Sequence, residues 1–383
     1  MKDNDTIVHL VTPYLFHTGS WIYSQIKNIN KFQSVVFTYS KENLDVFPHD
    51  EVVSFDEFPI KYRIFAKIHR KIFGDHYGIY FREYLNKYKP VLLHAHQGQE
   101  GTRWLNFSRE NKIPLVTSFY GMDVSKLGRI PYWQKRYKEL FQYGTIFLAE
   151  GNNLKNQLIA LGCPTYKIIV QHLGVSVDSY SQKKNYINNN SQITVLQVSS
   201  FREKKGIIYS LQAVAKVIEK NKNVIFKIIG DGDQKIKTTY NALVEQLQIK
   251  RNVKFLGIKS HAEMIKIMLD ADIFIHPSVT ASDGDNEGGA PVSIIEASAI
   301  GLPIVTTNHA DIPEVVVNNK TGLLSDEKNI DDLASSLVRL TKSHKLRKSL
   351  GEAGVAHISA NYNLPIQIRK LEEIYRIVIG EKA

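Results

Sequence analysis

Residues 283–307 read Asp-Gly-Asp-Asn-Glu-Gly-Gly-Ala-Pro-Val-Ser-Ile-Ile-Glu-Ala-Ser-Ala-Ile-Gly-Leu-Pro-Ile-Val-Thr-Thr. An acid, Glu287, precedes Gly288, Gly289 and Ala290, and Pro291 opens a helix predicted over 291–300. Proline suits the first helical turn because the N–H it lacks has no partner there. Gly301 ends the helix, and 302–307 reads as a buried strand. Loop, helix and apolar strand in that order are the repeating part of a parallel α/β sheet. Glycines ahead of a helix start let a ligand reach bare backbone N–H groups, whose partial positive charge favours anions. The helix is apolar at Val292, Ile294, Ile295, Ala297, Ala299 and Ile300, yet it carries Glu296. Burying that carboxylate is costly unless donors meet it. Ligand hydroxyls are one such donor set; a half-exposed Glu beside an ordinary junction is the alternative.

Working outward, apolar strand-like runs recur between helical stretches. In the first half they are 7–11, 35–38, 91–94, 115–119, 146–149 and 168–170. In the second they are 193–198, 224–229, 253–256, 273–276, 303–307 and 322–324. Many are continuous β-branched runs, which predicts strands buried on both faces. Helices are predicted over 207–219, 234–247, 261–269 and 330–340, and alternation of this kind implies doubly wound parallel sheets. The polar, Asn-rich stretch 179–192 reads as a linker. The expected organisation is therefore an N-terminal Rossmann-like domain over 1–178, that linker, and a second such domain over 193–364. A C-terminal helix over 365–383 is expected to cross back onto the first domain. Ligands are expected in a cleft between two facing domains, at the carboxyl ends of the strands.

Composition agrees with a globular chain of this kind: 383 residues, 43% hydrophobic and 23% charged, too long for one core. The single cysteine, Cys163, excludes an internal disulfide framework and a cysteine zinc cluster, and fits a reducing cytoplasm. The N-terminus lacks a signal-peptide pattern, and no window approaches the roughly 18 apolar residues of a spanning helix. The net charge of +11 is concentrated in residues 61–90, where eight bases face two acids and Ile64, Phe65, Ile68 and Ile72 share one helical face. A second basic-aromatic run covers 129–138. Such a stretch suits an anionic membrane surface, with a solvated face over an ordinary core stripe as the alternative. Nucleic acid is not expected, because no recognised binding motif accompanies the charge. The expectation is a cytoplasmic protein, peripheral at most to the inner face of the plasma membrane.

The unusual loops follow strands. They are the stretch around Gly19, His94-Ala-His96, Ser118-Phe-Tyr-Gly-Met-Asp123, Ser199-Ser-Phe-Arg-Glu-Lys-Lys-Gly206 and Gly230-Asp-Gly232. Together with Ala271-Asp-Ile-Phe-Ile-His-Pro-Ser278, the acidic loop, Gly301-Leu-Pro-Ile-Val305 and Thr321-Gly-Leu-Leu324, they make an ordered set. In that order the chain resembles the family 4 retaining glycosyltransferases of the GT-B fold, which use nucleotide-sugar donors. The likeness runs through nearly all of the second domain and is looser in the first. It is nearest in flavour to bacterial enzymes that extend capsule, exopolysaccharide or lipopolysaccharide chains.

The resemblance implies roles residue by residue. Lys205 would grip the donor diphosphate, and Glu287 would accept hydrogen bonds from hydroxyls of the transferred sugar. The N–H groups of Gly288, Gly289 and Ala290 would face that sugar and the distal phosphate. Glu296 would bind the ribose hydroxyls, and backbone at Lys254, Phe255 and Leu256 would read the nucleobase. Gly19 would let its loop close over the phosphates, while Asp123, with Ser118 or His96, would face the acceptor or the sugar. Three departures stand out. Eight residues, against the family's usual seven, separate Glu287 from Glu296. Ser200 stands where the family has a phosphate-binding arginine, with Arg202 as its candidate replacement. Tyr120 stands in place of a histidine, either donating to sugar or phosphate or merely lining the cleft; its hydroxyl is a poor base near neutrality.

Asp283 and Asp285 invite a metal reading. The fold implied here neutralises diphosphate with Lys, Arg and helix dipoles instead, so no metal and no cofactor are expected. His94 and His96 would point to one face of a strand but lack an obvious third ligand. The expected partners are a nucleoside-diphosphate sugar and a glycan or lipid-linked acceptor. The alternatives left open are a non-catalytic GT-B partner subunit, for which Ser200 and Tyr120 speak, and a nucleotide-sugar epimerase.

Overall fold

The computed structural model describes residues 5–16, 19–73, 78–180 and 192–380. The chain divides into two compact units, residues 1–174 with 365–383 and residues 175–364. Residues 181–191 of the stretch read as a linker lie outside the described residues, whereas Tyr180 is buried within the second unit.

The first unit is a seven-stranded sheet of β1 (Thr6–Leu10), β2 (Gln33–Thr38), β3 (Val52–Ser54), β4 (Leu92–His96), β5 (Leu115–Phe119), β6 (Ile146–Ala149) and β7 (Ile168–Val170). Its order is β3-β2-β1-β4-β5-β6-β7, and every pairing is parallel. The second unit has six strands: β8 (Ile193–Val198), β9 (Val224–Ile229), β10 (Val253–Phe255), β11 (Ile273–His276), β12 (Ile304–Thr307) and β13 (Gly322–Ser325). They run β10-β9-β8-β11-β12-β13, again all parallel. Both orders reverse direction once, at β1/β4 and at β8/β11. In an open α/β sheet such a switch point is where loops diverge and a ligand can enter.

Three expectations change in detail. The strand expected over 91–94 continues to His96, because His94, Ala95 and His96 pair with Val116, Thr117 and Ser118. His96 is therefore a core strand residue, 1% exposed, and no part of a loop. The three-residue β3 was not anticipated, being too short to show a period. Pro291 caps the helix Val292–Ile300 with extended backbone (ψ 129°) and does not form its first turn.

Alternation along the strands sorts the first unit's core. Val8, Leu10, Leu93, Ala95 and Leu115 join a cluster on one face. Ile7, Leu92, Val116 and Leu148 join the other, which Leu371, Ile374 and Tyr375 of the C-terminal helix Leu364–Ile379 complete. Glu372 anchors that helix by accepting from the N–H groups of Asn30 (2.7 Å) and Lys31 (2.9 Å). By the same parity His9, His94, His96 and Ser118 lie on the helix-covered face. Leu371 is 1% exposed. Leu371→Ala should lower the stability of this unit by about 2–5 kcal/mol, the usual cost of such a cavity, read from urea unfolding.

Candidate functional site

At the β8/β11 switch point two loops are forced together. Gly206 follows β8 with φ 64°, and a Cβ there would lie 1.8 Å from the Pro277 carbonyl oxygen after β11. Only glycine permits that conformation at that approach. The contact sets three bases against two acids. Lys205 Nζ lies 2.7 Å from Glu287 Oε2. Lys204 Nζ lies 3.1 Å from Asp285 Oδ1 and donates to the Asn286 carbonyl at 2.7 Å. Arg202 Nη2 meets the other Asp285 oxygen at 2.9 Å.

Asp285 thus spends both oxygens on bases, and Asp283 caps the Asp285 N–H (3.0 Å), so the two acids do not converge as metal ligands would. Arg202, which sequence reading put toward phosphate, is tied to the acidic loop. Ser200 is half-buried and makes no side-chain hydrogen bond among the described residues.

Burial works against the charges of Glu287 and Lys205. It pushes the Glu287 carboxyl up, but Lys205, Lys204 and His276 outweigh it and hold the group at about 2. Lys205 moves down from the ordinary lysine value because burial outweighs the pull of Glu287. Ser278 fixes the other carboxylate oxygen, its hydroxyl 2.9 Å from Glu287 Oε1 and 3.0 Å from His276 Nδ1. A carboxylate only accepts, so Ser278 donates to Glu287 and accepts from His276. Burial holds the His276 ring neutral, its value down at about 3. Behind the loop, the Glu287 N–H donates to His309 Nε2 (3.2 Å), whose Nδ1 contacts Glu327 at 2.6 Å. Glu327 in turn accepts from the Thr280 N–H at 2.8 Å.

Of the N–H groups read as facing a ligand, that of Gly288 is taken by the Asn286 side chain (2.9 Å). Those of Gly289 and Ala290 meet no acceptor among the described residues. Glu296 is 8% exposed, and its donors come from the chain itself: His261 Nε2 at 2.8 Å and the Tyr180 hydroxyl at 3.4 Å, both on Oε1. The hydrogen bond to Glu296 raises the His261 pKa above the ordinary imidazole value. At the edge strand β10, Asn252 and Leu256 hydrogen-bond toward β9 (2.7 and 2.8 Å). By alternation Lys254 does so too, which leaves the main chain of Phe255 facing the open edge.

In the first unit Gly19 begins the helix Ser20–Asn28 with its own N–H on the Phe16 carbonyl (2.8 Å). Asp123 is 2% exposed, and its carboxylate takes the N–H groups of Gly98 (3.0 Å), Tyr120 (3.1 Å) and Gly121 (2.9 Å). It latches two loops. His96 and Ser118 are buried behind Tyr120, with His96 Nδ1 2.7 Å from the Tyr120 hydroxyl. His9, on β1, completes a buried trio with His94 and His96 whose ligand-type atoms lie within 4.8 Å of one another. Sequence reading missed His9, although parallel register pairs it with His94.

Ser278, His309, His261 and Tyr180 were missed as well. Their partners lie 9 to 116 positions away in sequence, and no local spacing signals them. In the basic stretch, the helix Ile60–Phe73 turns Ile60 (71%), Ile64 (56%) and Phe65 (57%) to the outside, so these are not a core stripe. The side chains of Ile68 and Ile72 lie outside the described residues.

Residues 178–357 match the model of the family described as Glycosyl transferases group 1. The chain is 32% identical over 259 residues to the amylovoran biosynthesis glycosyltransferase AmsK of Erwinia amylovora, covering 68% of this chain and 63% of that one. It is 32% identical over 230 residues to the putative colanic acid biosynthesis glycosyltransferase WcaL of Escherichia coli K12, covering 60% and 55%. The match thus spans less than two thirds of either relative's length. Among solved structures, Anabaena Alr3699/HepE in complex with UDP and glucose is similar with a TM-score of 0.79 at 17% identity, covering 96% of this chain and 98% of that chain. The sucrose-phosphate synthase of Thermosynechococcus elongatus gives 0.79 at 15% identity, covering 98% and 99%. The fold is GT-B.

Because Glu287 sits at about 2 when folded against an ordinary 4.5, its contribution to stability is complete above pH 4.5 and is lost as pH falls toward 2. Relative to Glu287→Gln, the unsubstituted protein should lose roughly 3 kcal/mol across that window, measured by urea unfolding at stepped pH.

Proposed function

Residues 178–357 match the family model described as Glycosyl transferases group 1, and from that likeness we propose that the protein transfers a sugar from a nucleoside-diphosphate sugar to a hydroxyl of a glycan or lipid-linked acceptor, with retention of anomeric configuration, in surface polysaccharide assembly. The observation that carries this reading is the Lys205–Glu287 pair at 2.7 Å, set beside the unmet N–H groups of Gly289 and Ala290. An anionic carboxylate able to accept from sugar hydroxyls stands next to a cation and bare amides able to face phosphate. The named roles of AmsK and WcaL in amylovoran and colanic acid biosynthesis support the polysaccharide setting.

In this reading donor binding exchanges partners. Phosphate oxygens take over Lys205 from Glu287, and sugar hydroxyls replace what the carboxylate loses. As the bond to the anomeric carbon breaks, negative charge grows on the departing diphosphate. Lys205 and the amides ahead of the helix Val292–Ile300 then bind more strongly than in the ground state. Arg202 could join them only by leaving Asp285. The acceptor hydroxyl attacks from the face the diphosphate leaves, and a donor phosphate oxygen takes its proton. Glu296 would meet the ribose with Oε2, since Oε1 is held by His261 and Tyr180. Charge neutralisation by these groups supports a reaction without a metal or cofactor.

We also infer that the stretch 61–90 rests on an anionic membrane surface. Exposed Ile60, Ile64 and Phe65 alternate with exposed Lys61 and Arg63, which supports shallow insertion with headgroup contacts. No helix among the described residues is long and apolar enough to cross a membrane.

A panel of UDP-, GDP- and ADP-sugars, with a lipid-linked acceptor, should yield nucleoside diphosphate for at least one donor. Glu287→Ala should cut that turnover by at least about 10²-fold. Absence of release with every donor would favour a non-catalytic partner subunit. Full activity of Glu287→Ala would remove Glu287 from the site. Co-sedimentation with anionic vesicles should weaken as salt rises and fall further in Phe65→Asp; equal binding to zwitterionic vesicles would refute the membrane assignment.

A further inference from the structure

Three loops leave the carboxyl ends of neighbouring strands in the second unit, and one carboxylate ties them together. Glu327 lies two residues past β13, and His309 lies two past β12. Thr280 and Glu287 belong to the loop between β11 and the helix Val292–Ile300. Glu327 Oε2 accepts from the Thr280 N–H at 2.8 Å, and Glu327 Oε1 meets His309 Nδ1 at 2.6 Å. The far ring nitrogen, His309 Nε2, accepts from the Glu287 N–H at 3.2 Å. Glu327 thus holds the loop at two points, at Thr280 directly and at Glu287 through an imidazole.

The ring proton of His309 follows from its partners. A main-chain N–H only donates, so Nε2 must present its lone pair. The proton then sits on Nδ1 and is given to Glu327. A second proton on Nε2 would point at the Glu287 N–H and break that contact. The two neighbours therefore pull in opposite directions: the carboxylate favours a cation, and the amide requires a neutral ring. The His309 side chain is 1% exposed, so solvent offers it little else to bond. Burial pushes the Glu327 carboxyl up, but hydrogen bonds from His309 and Thr280 outweigh it and hold the group below its ordinary value. Backbone beside both residues is strained. Ala310 and Lys328, each directly after a member of the pair, take left-handed φ values of 49° and 64°. A Cβ in that region is costly, and such strain persists only where surrounding structure enforces it.

We propose that His309 and Glu327 are positioning residues for glycosyl transfer, Glu327 fixing the one His309 tautomer that holds the Glu287 main chain where its carboxylate meets the sugar. The proposal rests on the reading of Glu287 as acceptor of sugar hydroxyls. In that reading a donor phosphate takes Lys205 away from Glu287, so a front-side partner of the carboxylate is lost as the ligand arrives. Ser278 and the hold on the main chain remain, and the second passes through His309. A His–Glu pair also suggests a general base. The nitrogen that would take the proton is already occupied by the Glu287 N–H, which leaves the ring no lone pair for a substrate.

Long-range 1H–15N correlation spectra of the intact protein with labelled histidine should show His309 protonated on Nδ1 alone, with His309→Gln assigning the signal. A cationic ring or the opposite tautomer would overturn the proposal, as would an unchanged single tautomer in Glu327→Ala. Glu327→Ala should lower kcat/KM with the active sugar donor by about 10-fold or more, the usual result of a displaced contact group. Its affinity for free nucleoside diphosphate should stay within about twofold, because the lost interaction belongs to the sugar. Glu327→Gln keeps one acceptor oxygen and should show the same split with a smaller loss, which covers the case of Glu327→Ala failing to fold. Unchanged kcat/KM in the folded variants, or an equal loss for free nucleoside diphosphate, would refute the positioning role. Failure of the unsubstituted protein to turn over any donor would strike the glycosyl-transfer reading instead, while the spectra judge the His309 tautomer by themselves.

Discussion

Everything at the second unit's switch point depends on the buried meeting of Lys204 and Lys205 with Asp285 and Glu287. Four ionic groups lie in a place where isolated charges would each cost several kcal/mol to desolvate. They are tolerated because each carboxylate oxygen has a donor, Ser278 included, and because a glycine at 206 lets the two loops come close enough for these pairs to form. The consequence is a site that is ionised and prepositioned before any ligand arrives. A ligand need not create charge there. It has only to offer Lys205 an anion and Glu287 hydroxyls as good as the partners they exchange.

The parallel sheets were legible because strands covered on both faces must be apolar throughout, and a run such as Ile-Thr-Val-Leu-Gln-Val at 193–198 has few other uses. Residue types at the site were legible too, since glycines, lysines and acids in strand-end loops have few structural reasons to be there. Pairing was not. Lys204 and Lys205 are adjacent and chemically identical, and only the turn that places Gly206 in a left-handed conformation sends one to Asp285 and the other to Glu287. Glu296 looked like an acid waiting for a ligand because its donors, His261 and Tyr180, are 35 and 116 positions away. A helical pattern shows which face is buried; it says nothing of what the opposite wall supplies.

The two units solve the same problem by different means. The histidines behind Tyr120 are held neutral by burial and bonded to neutral partners, with His9 Nε2 left unmet among the described residues, whereas the groups around Glu287 are charged and satisfied by counter-charges. This division follows from exposure. Lys205 and Arg202 keep partial access to solvent (16% and 50% of the side chain), which softens the cost of charge, while His9 and His94 have none. A neutral network can direct hydrogen bonds but cannot neutralise a diphosphate; a charged one can.

The extra residue between Glu287 and Glu296 then has a structural reading. Added length in the glycine turn would displace Glu287 if the turn simply bowed outward. Instead Gly288 takes φ 73°, and the Asn286 side chain crosses the turn to hold the Gly288 N–H at 2.9 Å. His309 grips the Glu287 N–H from behind, while Ser278 and Lys205 take one carboxylate oxygen each from the front. With main chain and side chain both fixed, the carboxylate's place is set by β11 and by the loop after β12, and no longer by its distance in sequence from the helix. The turn can therefore vary in length without moving the acid, provided a left-handed glycine and a capping side chain take up the slack.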